Sequence, residues 1–492
     1  MQYIATFDIG TTAVKGVLVS IDGAPAFTKS INIETVFEGN FKEQRPLDWY
    51  KAFCMISKEL FASGYSSANI IGIIMSGHMQ DLIPVDKNDL PVCNAILYSD
   101  GRAEKQAKEI AEIVGLEEIV ESTGNNFDGS MPFPKLLWLK QHRFNDYQNT
   151  AKVLISSKDY VVSRLTGCFI ADVTAAATVG LMDIHKKCWN TTWADAVGID
   201  NTKLPHLLYA EEQAGLVTEK ASSETGYAVG TPVYAGTGDA GATTLASGIA
   251  SDGEFNINLG TSGWVACVSS DVLAKENVFN LAAMPKNVYI NVVPFFNAGN
   301  VHKWISKTLA KDTEQNEKYD YIDKLLEQSV PGSHGLMFLP YLVGERFPVV
   351  DTQIRGGFVG ITPETTKQDI ARSCLEGVAF SIRQGIESIG RKPCKISLIG
   401  GGAQTKVWCQ ILADILGHEV LVYNNSEFFP AMAIAASVLI AQGTILDYHK
   451  FTESLQQSQD CTCYEPNPLA VELLNKVYKT YCSIYPAFKK IK

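Results

Sequence analysis

A strand–turn–strand unit that occurs twice limits this chain's fold more than any other feature. Residues 7–20 read FDIGTTAVKGVLVS, and residues 258–270 read NLGTSGWVACVSS. In the first copy, an apolar run over 3–7 with aromatic and β-branched members predicts a strand. A second strand follows over 15–19, with Val17 and Val19 on one face. Between them stand Asp8, Gly10, Thr11 and Thr12, with Lys15 just beyond. Gly10 permits a tight turn and close approach of a ligand to the backbone. The hydroxyls and turn amides can donate to an anion. In the second copy Asn258, Gly260, Thr261 and Ser262 take the places of Asp8, Gly10, Thr11 and Thr12, and strand-like runs again flank the turn. Each turn taken alone is also compatible with an ordinary polar hairpin. Recurrence at long spacing rules out a solenoid and predicts two related halves, each offering a hydroxyl-rich turn. Both turns run into strands rather than helices, so neither is a Walker loop nor a dinucleotide-binding fingerprint.

A length of 492 residues exceeds one ordinary core and calls for at least two domains. With 46% hydrophobic and 19% charged residues, the composition is that of a soluble globular protein. A net charge of −11 argues against a nucleic acid or an anionic membrane as partner. No basic, apolar leader is visible. The longest apolar run, AMAIAASVLIA at 431–441, is too short to span a bilayer and predicts a buried helix. Eleven scattered cysteines without zinc spacing fit reduced thiols and a cytoplasmic location. Strand-like and helix-like segments alternate through 1–248 and again through 249–492, which predicts an α/β fold of two lobes, the second carrying a C-terminal helix over 470–483.

Several clusters sit where strands should end, and ligands of α/β sheets bind there. Asp239 lies in AGTGDAGA, between glycines and at the mouth of a helix. It reads either as a helix cap or as a general base. A base is what phosphoryl transfer to a hydroxyl asks of a carboxylate, with Asp8 on the opposite wall able to hold Mg²⁺ directly or through water. IGGGAQ at 399–404 follows a strand and precedes a helix, a place for phosphate or ribose. SGHMQD places His78, Met79, Gln80 and Asp81 after a buried strand, a set able to grip a polyol or simply to satisfy the core. LYSDGR offers Asp100 and Arg102, which read equally as substrate contacts or as a surface ion pair.

Taken in order from residue 3 to about 440, DIGTT, GTGDAGA, LGTSG, YLVGERFP, RGGFVGI and GGGAQTKVWCQILADILG resemble the FGGY carbohydrate kinases. That resemblance implies two ribonuclease-H-like domains of the actin/sugar kinase/Hsp70 superfamily flanking an ATP/sugar cleft, with ATP and Mg²⁺ as cofactors. It implies Asp239 as catalytic base and Asp8 as the acid that helps hold Mg²⁺. It implies nucleotide contacts from Gly10, Thr11, Thr12, Lys15, Gly260, Thr261, Ser262, Gly401, Gly402, Ala403 and Gln404. SGHMQDLIPVD, AILYSDGR, TGN at 123–125 and SKDYVVSRLTG are most similar to the xylulokinase branch. The sugar side would then be His78, Met79, Gln80, Asp81, Asp100 and Arg102, and the acceptor D-xylulose. Met79-Gln80 stands where the branch has Met-His, and Tyr98-Ser99-Asp100 also departs from its pattern. Ribulose, gluconate or the autoinducer sugar therefore remain alternatives, as does a non-catalytic actin-like ATP-binding protein. The oligomeric state is open, with a homodimer one arrangement. Phe428 and Phe429, in place of the family's small residues, are expected to alter packing near the nucleotide.

Overall fold

The computed structural model describes all residues except 39–40, 274, 276, 285, 311–317, 350, 352, 424–427, 458–460 and 490–492. The chain forms two compact units. One comprises Met1–Ala250, Ser269–Ile290 and Asn425–Ser458, the other Ser251–Val268, Asn291–Asn424 and Gln459–Lys492.

The first unit is built on a sheet whose strands are β1 (Tyr3–Ile9), β2 (Ala13–Ser20), β3 (Pro25–Asn32), β4 (Ile70–Gly77), β5 (Gln213–Leu216) and β6 (Pro232–Tyr234), in the order β5-β6-β4-β1-β2-β3. A short β7 (Thr237–Gly238) also pairs with β4. β1 runs antiparallel to β2, with Asp8 opposite Lys15, and parallel to β4, with Asp8 opposite Ser76. Side chains alternate between the two faces, as a pleated strand requires. Phe7, Val14 and Leu18 join a core under α1 (Pro46–Ala62) and α2 (Ser157–Thr166), which contribute Trp49, Phe53, Ile56, Tyr160 and Leu165. Ile4, Val17 and Val19 face the opposite layer. Each of these large side chains contributes about 1.5–3 kcal/mol by leaving water.

That opposite layer explains why the chain does not divide as expected at 248/249. The break falls at 250/251, and two later segments return to the first unit. The apolar run at 431–441 is buried, as its composition predicts, but as two helices, Phe429–Ala433 and Ala435–Ala441. Phe429, Met432, Ile434 and Val438 pack on Ile4, Val17, Val19 and Ile74. A helix apolar on all sides needs cover on all sides, and the back of the first sheet supplies it. Phe429 therefore belongs to this core, and Phe428 packs partly buried against it. The segment 269–290 is tied in by a reciprocal amide pair. Asn280 N donates to Asn125 Oδ1 at 2.7 Å, and Asn125 Nδ2 donates to Asn280 O at 2.9 Å.

The second unit repeats the motif. β8 (Glu254–Leu259) and β9 (Gly263–Ser269) form the hairpin, and β10 (Lys395–Ile399) runs parallel to β8. Asn258 pairs with Trp264 and Ile399, as Asp8 pairs with Lys15 and Ser76. β11 (Val420–Tyr423) and β12 (Cys461–Tyr464) continue the sheet in the order β9-β8-β10-β11-β12, part of a seven-stranded sheet that extends further beyond β9. The helices of this unit include α4 (Gly299–Leu309), α5 (Lys367–Ile389), α6 (Lys406–Leu416) and α7 (Pro468–Lys489), with α3 (Asp239–Ala246) belonging to the first unit. Among the described residues, no helix is long and apolar enough to cross a membrane.

Candidate active site

Three strand ends in the first unit bring the acidic residues together. β1 delivers Asp8, β4 delivers Gly77 and then His78, and β7, paired to Ser76 and Gly77, delivers Asp239. Asp8 and Asp239 are each partly open to solvent. Ser76 Oγ donates to Asp8 Oδ1 at 2.9 Å. Asp239 is the first residue of α3 and accepts the amide of Ala240 at 2.8 Å, whereas the cap position is Gly238. The carboxylate is thus not used as an N-cap. The protein around Asp239, and then the negative charge of Asp8, push its pKa up to about 7, against the pull of His78 and the Ala240 amide. Asp8 is also raised by burial, opposed by the Ser76 hydroxyl and the charge of Lys15. The charge of Asp8 raises the proton affinity of Asp239, and two hard-oxygen carboxylates at neighbouring strand ends are donors of the kind a divalent cation takes.

His78 adjoins this pair. Burial works against its charge, yet Asp81, with Asp239 and Asp8 as further contributors, raises its pKa. Its Nδ1 lies 2.5 Å from Asp81 Oδ2, and its ring meets the Trp49 indole edge-on at 5.1 Å. Among the described residues, Nε2 has no hydrogen-bond partner. Asp81 spends its other oxygen on the Tyr98 amide at 3.0 Å. Met79 packs directly over Gly238, which has no room for a Cβ. Gln80 takes a left-handed backbone (φ 65°) and donates to Ser130 Oγ at 2.8 Å. Lys135 donates to the carbonyls of Leu97 (2.7 Å) and Gln80 (3.3 Å), and burial brings its pKa down to about 8.

The structure corrects part of the expected sugar side. The side chains of Asp100 and Arg102 are both 1% exposed and engage each other. Asp100 Oδ1 accepts from Arg102 N and Nε, and Oδ2 accepts from Lys42 N and Arg102 Nη2. The guanidinium also pairs with Glu43 at 2.9 Å and lies 3.9 Å over the Phe41 ring. The pair is an ion pair buried within the fold, not one at the surface, and its side chains present almost no area to a ligand. Asp81, fully buried and doubly engaged, holds His78 rather than a substrate. The accessible side chains here are Asp8, Asp239, Met79, Gln80 and the exposed Tyr98. Sequence reasoning gave no role to Lys158, Asp159 and Asp172: the first two stand in the SKDYVVSRLTG segment, but nothing in it points to a contact with Asp172.

The turn of the first hairpin is held from behind. Gly10 N donates to Ala13 O at 3.0 Å, Gln44 Nε2 to Thr11 O at 2.7 Å, and Ile33 N to Thr12 O at 2.8 Å. Its hydroxyl-bearing residues Thr11 and Thr12 lie at the surface.

The second hairpin borders a cavity of about 700 Å³ within the second unit. Gly260 and Thr261 form one edge, with their carbonyls accepting the first amides of α4, Gly299 N at 2.8 Å and Asn300 N at 2.9 Å. The tight turn Gly401–Gln404 forms another, contributing Gly401, Gly402 and Gln404. Ala403 and Ser262, expected here too, are not on the cavity wall. His302, Lys303, Tyr319, Asp320 and Asp323 also line it, and no motif had pointed to them. Burial pushes the His302 pKa down to about 4, so the ring is neutral at physiological pH. A cavity of this size suits a nucleotide-sized ligand.

Comparison with known proteins agrees with both halves. Residues 3–246 match the N-terminal domain of the FGGY family of carbohydrate kinases, and residues 255–431 match its C-terminal domain. Xylulose kinase of Staphylococcus xylosus is 29% identical over 489 residues, covering 98% of this chain and 99% of that protein. A gluconokinase of Bacillus subtilis is 28% identical over 439 residues, covering 87% of this chain and 85% of that protein. The crystal structure of ligand-bound xylulose kinase from Lactobacillus acidophilus superposes with a TM-score of 0.89 at 26% identity, covering 99% of each chain. From the two matched domains, the twice-used hairpin and the full-length likeness of fold, this chain is a member of the FGGY family of carbohydrate kinases, a sugar kinase with ATP as its phosphoryl donor.

Proposed function

We propose that the chain phosphorylates a hydroxyl of a neutral ketopentose, D-xylulose first among them. The observation that carries the reaction is the Asp239–Asp8 pair, with Asp239 held at a pKa of about 7. A base near the working pH combines a usable ionised fraction with affinity for the proton it takes. The acceptor hydroxyl donates its proton to an Asp239 oxygen as its oxygen bonds to the γ-phosphorus of ATP. The bond from that phosphorus to the β–γ bridging oxygen breaks, and ADP leaves. Thr11, Thr12, Lys15, Gly260, Thr261 and Ser262 are the proposed phosphate contacts, and Gly401, Gly402, Ala403 and Gln404 the proposed contacts of the nucleoside. Asp8 and Asp239 would hold Mg²⁺, directly or through water, and when bound it supplies positive charge that neutralises the transferring phosphoryl group.

The choice of a neutral sugar rests on the charges near Asp239. An aldonate such as gluconate calls for a cation facing its carboxylate. Arg102 and Lys135 are buried and engaged with Asp100 and with backbone carbonyls. Gln80 and Tyr98 are neutral hydrogen-bonding groups with access to solvent, which suits hydroxyls. Full-length likeness to a xylulose kinase supports the same choice.

A coupled ADP-release assay across D-xylulose, L-xylulose, D-ribulose, L-ribulose, gluconate, erythritol and glycerol tests this. D-xylulose should give the highest kcat/KM, at least about tenfold above gluconate, for the loss of one charged contact. Preference for gluconate overturns the neutral-sugar assignment. ATP binding without stimulation by any acceptor overturns the kinase assignment for this panel. The pH profile is a second check. Because the base must be ionised, kcat/KM for the acceptor should fall about tenfold per unit as pH drops below about 7. A flat profile down to about pH 5 contradicts a base with this environment.

A further inference from the structure

The first turn of α2 touches two of the strand ends that carry the acidic site, those of β1 and β4. Ser157 Oγ donates to Ile9 O at 2.7 Å, next to Asp8. Ser157 N donates to His78 O at 3.2 Å, and Asp81 N donates to Ile155 O at 3.1 Å. A Cβ at Gly77 would lie 2.5 Å from Ser157 Oγ and 2.8 Å from Lys158 N, so helix and strand meet backbone to backbone. Within this contact Lys158 is fully buried, its Nζ 2.5 Å from Asp159 Oδ1 and 2.8 Å from Asp172 Oδ2. Asp172 Oδ1 accepts the amides of Thr174 and Ala175, each at 3.0 Å, and that of Gly238 at 3.3 Å. Gly238 is the residue before Asp239.

A buried ion pair is a poor device for stability, because desolvation offsets its Coulombic gain. Its output here is geometric. Lys158 fixes Asp172 Oδ2, and this orients Oδ1 toward the one backbone amide that sets where α3 begins. We propose that Lys158 and Asp172 are positioning residues for Asp239. Through the Gly238 amide they hold its carboxylate in the direction of the acceptor hydroxyl. The inference rests on Asp239 being the base. The competing role for Asp172 is only to cap the short helix Val173–Ala176, where it accepts the same two amides.

Two substitutions separate these roles in the full-length protein. Asp172→Ser keeps an N-cap oxygen but is too short to reach Gly238 N or Lys158 Nζ. Asp172→Asn keeps an Oδ1 acceptor and leaves Lys158 matched with Asp159. Misplacement of a reacting group by about 1 Å costs about 10²-fold. Asp172→Ser should therefore lower kcat at least about 30-fold, with nucleotide affinity by calorimetry unchanged within about twofold. Asp172→Asn, which keeps an acceptor for the Gly238 amide but gives up the Oδ2 contact of Lys158, should retain at least about tenfold more kcat than Asp172→Ser, whatever its melting temperature. Unchanged kcat in Asp172→Ser overturns the proposal. So does equal loss in Ser and Asn variants, because a scaffold defect does not discriminate an Oδ1 acceptor. Asp239→Asn, assayed alongside, distinguishes the two levels. Full turnover there overturns the base assignment itself, whereas a dead Asp239→Asn beside a fully active Asp172→Ser overturns the positioning role alone.

Discussion

Asp239→Asn is expected to lower kcat by at least about 10³-fold while nucleotide affinity stays within about twofold. The side chain keeps its shape, and Asn Oδ1 can still accept the Ala240 amide that Asp239 accepts at 2.8 Å. What disappears is the proton acceptor. A general base typically contributes about 10²–10⁴-fold, and here the same substitution also removes a negative charge from the proposed cation-binding pair. The described residues that line the cavity proposed for the nucleotide, from Leu259 to Thr405, belong to the second unit, so its affinity should stay near normal. Stopped-flow or coupled turnover assays with calorimetric nucleotide titration measure both quantities. A variant retaining a tenth or more of normal turnover would be incompatible with a base at this position.

The same substitution should make the protein more stable at alkaline pH. Asp239 has its pKa raised by burial and by Asp8, from 3.8 to about 7. Between those values the folded state binds the proton more tightly than the unfolded chain does. Above about 7 the folded state must carry an ionised carboxylate it disfavours, so stability is lost as pH rises through the window and the loss is complete above it. Partial access of Asp239 to water reduces the effect, leaving about 2 kcal/mol. Asp239→Asn should accordingly melt higher than the unsubstituted protein at about pH 8, with the difference vanishing near about pH 4. A difference of the opposite sign would mean that Asp239 is stabilised as an anion.

How much of this was visible beforehand depended on whether an interaction was local. Both hairpins could be read because a glycine and two hydroxyl residues interrupt apolar strands, and the interruption recurs at 8–12 and 258–262. Asp239 could be read because it stands between glycines at a strand end. Asp100 and Arg102 could be found but their employment could not. Which acid is left over depends on Lys42 and Glu43, brought in by another strand. Asp81 likewise looked available until His78 and the Tyr98 amide took both its oxygens. Lys158 and Asp172 meet only because α2 packs against the ends of β1 and β4, a long-range event with no signature in either segment. The helices at 429–441 announced that they are buried, since they are apolar all round, but not which sheet buries them.

The three glycines at 400–402 yield the second large prediction, because neighbouring positions should respond in opposite ways. Among the described residues, a Cβ built on Gly401 meets nothing within 4 Å, and its backbone is not among those with positive φ. A side chain there projects into the cavity without disturbing the fold. Gly401→Leu is therefore expected to raise KM for ATP by about 10²-fold, since it fills space that the nucleoside would use, with the melting temperature unchanged. With nucleotide at saturation, KM for the acceptor should remain near normal, because Asp8, Asp239 and Gln80 belong to the other unit. At Gly402 the same Cβ would come within 2.7 Å of Leu259 Cβ and 2.8 Å of Trp408 Cζ3, both buried. Gly402→Ala should thus cost about 1–3 kcal/mol of stability through overpacking. Its effect on nucleotide affinity would follow only from the displaced strand end. Thermal melts and calorimetric ATP titrations on the two variants read these effects separately. If Gly401→Leu bound ATP normally, the cavity beside the second hairpin would not be the nucleotide seat. A melting loss at Gly401 as large as that at Gly402 would mean that position 401 packs against protein rather than facing open space.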